Sequence, residues 1–136
     1  MNDKLLILAE QFRAALEKVR NDATLPGHFK DFPRGTCGDT SDILSKFLES
    51  HGIDNIEYVC GVFRDGKSHA WLEVAGYIID ITADQFPDVF QRVIVSKESL
   101  WHDEFEERQR RKAGYIVRNK ITHNLDKVYR AALAKI

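Results

Sequence analysis

Three residues of this chain have the types and the order that a thiol-based acyl transfer needs. They are Cys37 in RGTCGDTSDILSKFL (34–48), His69 in SHAWLEV and Asp80 in YIIDIT. A structural cysteine usually sits among apolar neighbours. Cys37 instead sits among Gly35, Thr36, Gly38 and Asp39, where the pattern starts a helix. A cysteine in a first helical turn feels the positive end of the helix dipole and nearby backbone N–H groups, and both favour thiolate. Gly35, Thr36 and Gly38 are read as one wall of a substrate cleft, because small neighbours leave room for a reacting group. The same N–H groups are placed to hold an oxyanion.

The other two residues come from one hairpin. Ala75-Gly76 reads as a two-residue turn, which pairs Val74 with Tyr77, Leu72 with Ile79 and Ala70 with Ile81. Those six make an apolar face for the core. The opposite face carries His69, Trp71 and Glu73 against Ile78, Asp80 and Thr82, with Asp80 opposite Trp71 and diagonal to His69. A carboxylate on one imidazole nitrogen fixes the tautomer and raises the basicity of the other. The free nitrogen then needs a proton donor, and Cys37 is the candidate. Trp71 is read as a wall of the cleft or as packing.

These residues need elements to hold them. Leu5, Leu8, Ala9, Phe12, Ala15, Leu16 and Val19 recur at helical spacing through residues 3–20. Residues 21–35 hold two prolines and two glycines and form a loop. The second helix starts after Thr36 as N-cap, with Asp39 as its capping-box partner, and Gly52 ends it. On this reading the Asp39 carboxylate turns toward backbone N–H groups and away from the sulfur. Residues 56–82 form a three-stranded antiparallel meander turned at Asp65-Gly66 and Ala75-Gly76, and VFQRVIV (89–95) is a candidate fourth strand. Residues 99–112 read as a helix, with Glu104–Arg108, Glu106–Arg110 and Glu107–Arg111 four apart, acid first. Gly114 ends it, and a last helix runs over about 124–135.

Bulk properties limit the function classes. The 136 residues suit one domain, residues 1–136. The 20 basic and 21 acidic residues give a net charge of -1, which argues against a dedicated nucleic-acid or membrane-surface binder. RQRRK (108–112) follows DEFEE and is read as a charge-paired face. No apolar run reaches the roughly 18–20 residues that cross a bilayer. The N-terminus reads as an amphipathic helix and not as a signal peptide, and two cysteines are too few for a disulfide framework, so cytoplasmic residence is expected.

Beyond these derivations, two passages resemble the transglutaminase-like branch of the papain-like cysteine hydrolases. GTCGDTSDILSKFLESHGI is similar to that family's nucleophile helix. VCGVFRDGKSHAWLEVAGYIIDIT is similar to its Gly, His-Ala-Trp-x-Glu-Val and Asp-x-Thr pattern. The similarity covers about residues 33–86. It implies an α+β core with the cysteine helix packed on a small antiparallel sheet, flanked by N- and C-terminal helices. It implies Cys37 as nucleophile, His69 as base and acid, and Asp80 as orienter, acting on a peptide or protein amide through a thioester without a cofactor or metal. The family includes crosslinking transglutaminases, peptidases, deamidases, lasso-peptide leader peptidases and arylamine N-acetyltransferases. The short His–Asp interval and the small chain favour hydrolysis or deamidation over crosslinking. No glutamine lies close before Cys37 as a second oxyanion donor, and Gln11 serves only if the fold brings it there.

Other readings stay open at this point. The chain could be a silent peptide-binding module on the same fold, or the enzymatic part of a bacterial toxin or effector. A zinc site from Cys37, His69, Asp80 and Cys60 lacks supporting spacing. Cys60, in an apolar strand beside Gly61, is read as a core thiol. His102, His28, His51 and His123 have no visible partners.

Overall fold

In the computed structural model, which describes all of residues 1–136, the chain is an α+β fold. It opens with α1 (Asn2–Val19) and α2 (Cys37–Ser50), joined through a short 3-10 turn at Gly27–Asp31. The strands are β1 (Glu57–Val62), β2 (Ser68–Val74), β3 (Tyr77–Asp80), β4 (Ile94–Ser96) and β5 (Glu106–Lys112). The one-turn α3 (Leu100–Asp103) precedes β5, and α4 (Lys120–Leu133) follows it. The sheet is antiparallel throughout, in the order β4-β3-β2-β1-β5.

The meander forms where its pattern places it. Leu72 pairs with Ile79 and Val74 with Tyr77, as the two-residue turn requires. Ala75 and Gly76 both take positive φ, 51° and 80°, the geometry that matches hairpin twist. One sheet face, carrying Ala70, Leu72, Val74, Ile79 and Ile81, meets the apolar stripes of α1, α2 and α4. Leu5, Phe12, Leu16, Ile43, Phe47 and Val128 fill that core, with Phe12 and Phe47 stacked 5.1 Å apart. The other face carries a second apolar cluster of Val59, Trp71 and Phe105, flanked by Phe63, Ile78, Phe86 and Trp101.

Four expectations are corrected. Residues 106–112 are a strand and not a helix. EERQRRK has no apolar residue to bury, so a helix there would have no face to pack. As a strand it covers the edge of β1 and satisfies that strand's backbone groups. Arg111 then lies over the Tyr58 ring at 3.8 Å and pairs with Asp42 at 2.9 Å, while Arg110 bonds Glu57 and Glu73 across the sheet. The acid–base pairs expected four apart do not form. The fourth strand is Ile94–Ser96, at the end of the expected 89–95 segment and paired with β3. The last helix starts at Lys120, four residues early, because Asn119 and Thr122 make a capping box.

At α2 no capping box forms. Thr36 is the N-cap by position, with φ -122° and ψ 4°, and its hydroxyl donates back to the Pro33 carbonyl at 3.0 Å. The Asp39 carboxylate meets His28 Nε2 at 2.9 Å instead of backbone N–H groups. At the other end Gly52 takes φ +85° and closes the helix as expected.

Gly61 is where β5 closes on the sheet. A Cβ there would stand 2.9 Å from Phe105 Cβ and 3.1 Å from the Glu106 carbonyl oxygen, beside the register shift between Cys60 and Gly61. Gly61→Ala is expected to destabilise the protein by about 1–3 kcal/mol. Urea denaturation measures this, and an unchanged midpoint would show that β5 is not tightly seated.

Candidate functional site

The site is built at one end of β2. Gly35, at φ +70° with open space around its Cα, turns the chain into Thr36, and α2 begins at Cys37. Cys37 is therefore the first residue of a 14-residue helix, half-buried, beside His69 and Ala70 of β2. A Cβ at Gly38 would stand 3.2 Å from the Tyr58 hydroxyl, so any larger residue there presses on that side chain.

Behind the thiol lies a buried chain of polar groups. His69 Nε2 stands 2.7 Å from Asp80 Oδ2, with His69 at 0% and Asp80 at 2% exposure. Asp80 Oδ1 accepts from the Thr82 backbone N–H at 2.9 Å. Since Nε2 faces the carboxylate, Nδ1 is the nitrogen left for other partners. Gln85 Nε2 lies 3.3 Å from it and also donates to the Thr82 carbonyl at 3.1 Å. An unprotonated Nδ1 accepts from that amide.

The electrostatics of the three groups run in one direction. Burial alone pushes the His69 ring down, but the charge and hydrogen bond of Asp80, joined by Cys37, outweigh it and hold the ring at about 9. Burial pushes the Asp80 carboxyl up, yet the charge of His69 and the N–H groups of His102 and His69 carry it below its ordinary value. Burial likewise pushes the Cys37 thiol up. The hydrogen bond and charge of His69, with a bond from the Ala70 backbone, bring it below its ordinary value. A raised imidazole beside a lowered thiol favours the thiolate–imidazolium pair. Cys60 goes the other way, raised by burial and by the neighbouring Cys37. Tyr58 is pushed up to about 12, chiefly by burial, and so stays a neutral hydroxyl.

The fold joins His69 to Asp80 directly and places Cys37 near enough for the His69 charge to act on its thiol, with Gly35, Thr36 and Gly38 around the helix start. Trp71 is not an open cleft wall. It is 4% exposed, packs on Phe105 and donates its N–H to Glu73 at 3.1 Å. With Phe86 and Trp101, whose rings lie 5.2 and 5.6 Å from that of His69, it shields the imidazole from water. Thr36 is also buried. Gln11 lies exposed on α1 and makes no hydrogen bond to the site, and Gln85 is the glutamine beside the histidine. A concavity of about 780 Å³ lies elsewhere, formed by β4 and the segments on either side of it that carry Phe90 and Leu100.

His102 was not legible as a partner, yet its Nε2 also stands 2.7 Å from Asp80 Oδ2. It sits in a one-turn helix with no periodicity to betray it. His69, Asp80 and His102 replace the cysteine-containing zinc set considered above as the compact ligand-type cluster. Their 2.7 Å contacts are hydrogen-bond distances, whereas donors around a tetrahedral metal stand about 3.3 Å apart. The cluster is closed on itself through protons.

Folding moves His69 from 6.5 to about 9, so its contribution to stability is complete below pH 6.5 and disappears as pH rises through about 9. Asp80 moves down from 3.8, so its contribution is present above that pH and disappears in acid. The stability difference between wild type and Asp80→Asn is therefore expected to peak at roughly pH 4–6.5 and shrink on both sides. Thermal melts across pH check this, and a difference that grows from pH 6.5 to 9 would contradict the pairing.

Comparison with known proteins gives sequence relatives alone. No family model and no solved structure matches the chain. It is 31% identical over 101 residues to the uncharacterized protein YuaU of Escherichia coli strain UTI89 / UPEC, and to the same protein of strain K12. The match takes in 69% of this chain and 47% of each relative, so the chain spans about half the length of the curated relatives it matches.

Proposed function

We propose that this chain is a thiol-dependent amide hydrolase on a papain-like core of the transglutaminase type. The observation that carries the reading is the buried 2.7 Å contact of His69 Nε2 with Asp80, which turns Nδ1 away from the carboxylate, with the thiol at the head of α2 close enough to be lowered by His69. The lowered Cys37 beside the raised His69 supports it further.

The Cys37 thiolate attacks the amide carbon and forms a C–S bond, and the carbonyl oxygen becomes an oxyanion held by N–H groups at the start of α2. The His69 imidazolium gives its Nδ1 proton to the departing amine as the C–N bond breaks, leaving a thioester. His69, now neutral, takes a proton from water, which attacks the thioester and releases the acid and the thiolate. Asp80 keeps its charge and stabilises each imidazolium. A peptide, a side-chain amide or glutamine fits this scheme equally. The two free thiols suit a reducing compartment, and the cytoplasm is our assignment. No helix is long and apolar enough to cross a membrane.

A second reading has one observation in its favour. The 780 Å³ groove beside edge strand β4, rimmed by the exposed Phe90 and Leu100, suits a binding module that holds peptide without turnover.

Cys60 serves as an internal control in the test. Iodoacetamide at pH 6–7 is expected to label Cys37 and spare Cys60, and His69→Ala should move the Cys37 midpoint up toward an ordinary thiol value of about 8.5. A wild-type midpoint near about 8.5 would sink the activated-thiol reading. An amide and peptide panel, read by mass spectrometry for an acyl adduct on Cys37, separates the two readings. Stable peptide binding by Cys37→Ala with no adduct or product from wild type would favour the binding module.

A further inference from the structure

Asp80 is shared by two imidazoles. His69 and His102 each bring Nε2 to within 2.7 Å of the same oxygen, Oδ2. His102 is 3% exposed and arrives from α3. Its ring is held in turn. Ser99 Oγ lies 2.6 Å from Nδ1 and accepts from the His102 backbone N–H at 3.2 Å. In the neutral ring the Ser99 hydroxyl hydrogen goes to Nδ1, which leaves the single ring N–H on Nε2, facing Asp80. Trp71 and Trp101, each 4.8 Å from the ring of His102, fix its plane.

We propose that Ser99 and His102 form a second arm of the site, in which His102 positions Asp80 so that Oδ2 stays aimed at His69. The proposal rests on the hydrolase reading for its catalytic meaning, but the geometry it describes stands apart from that reading. A carboxylate can rotate about its Cβ–Cγ bond. Thr82 holds Oδ1 from one side, and without a second donor on Oδ2 the group is free to tilt out of line with His69 Nε2. Two N–H groups on one oxygen pin that angle. The titratable groups that face the carboxylate are His69 from β2 and His102 from α3. Those that face the thiol are His69, Asp80, Tyr58 and Cys60. His102 therefore acts on the thiol only through Asp80 and His69. It is a positioning residue and touches no reacting atom.

The test compares His102→Leu, which fills the space without a donor, with His102→Gln, which restores an N–H near the Nε2 position. Long-range proton–nitrogen NMR of the imidazoles follows His69 directly, and iodoacetamide labelling follows Cys37. In His102→Leu the His69 midpoint is expected to fall by about one pH unit and the Cys37 midpoint to rise by a similar amount, about a tenfold loss of thiolate at a fixed pH below it. His102→Gln should recover most of both. A folded His102→Leu protein whose His69 midpoint equals or exceeds that of wild type would overturn the proposal, whatever Cys37 does, because loss of a competing donor alone raises His69. A wild-type Cys37 midpoint that is ordinary speaks against the hydrolase reading alone and leaves the His69 comparison intact. Should His102→Leu not fold, Ser99→Ala, which removes the hydroxyl orienting the ring, must shift His69 in the same direction by a smaller amount, and no shift there rejects the second arm.

Discussion

The Asp80 carboxylate is the group around which the site is arranged. A buried carboxylate without partners would cost several kcal/mol in lost hydration. This one accepts from His69 and His102 on Oδ2, and from the Thr82 backbone on Oδ1. Each donor imposes a structural demand. The Thr82 N–H requires the chain to turn at once after β3, which it does in the short 3-10 turn Ala83–Gln85. That turn also places Gln85 at His69. The His102 ring requires α3 to lie across the sheet. A single charge thus constrains three separate segments.

Two further devices keep this arrangement dry and fixed. The aromatic layer of Trp71, Phe86, Trp101 and Phe105 lies against the imidazole, and a less watery surround strengthens each charge interaction. Gly61 lets Phe105 and β5 approach closely enough to complete that layer. On the opposite side Arg13 of α1 is buried and reaches the segment after β3. It donates to the Ile81 carbonyl at 2.7 Å and to both oxygens of Asp84 at 2.7 and 2.9 Å. The first helix therefore does more than cover the core. It clamps the turn that carries Thr82 and Gln85, so the packing layer and the polar chain share one anchor.

What was legible in the sequence follows from how local each signal is. The helix from Asn2 to Val19 and the meander announce themselves by period, and the Ala75-Gly76 turn fixes the register that sets Asp80 near His69. The helix start at Cys37 was legible from small and polar neighbours. Apart from the local capping box at Asn119 and Thr122, the misses are tertiary. EERQRRK satisfies the local rules for a charge-paired helix, and only the open edge of β1 makes it a strand. Asp39 fits a capping box until His28, eleven residues back, offers a partner. His102 lies twenty-two residues from Asp80 and joins it through a loop path that no periodicity encodes.

The two cysteines show why residue type alone carries so little of the chemistry. Cys37 and Cys60 are both partly buried, and burial pushes both thiols in the same direction. The difference is what stands against it. Cys60 lies within a strand and has a tyrosine hydroxyl as its neighbour, too weak a donor to reverse the effect of burial. Cys37 has an imidazole whose own proton affinity is raised by a buried carboxylate, and it sits where a helix presents unpaired N–H groups. Asp80 raises the proton affinity of His69, and His69 in turn lowers Cys37 by more than the direct charge of Asp80 raises it, so the contrast between the two thiols runs through the imidazole.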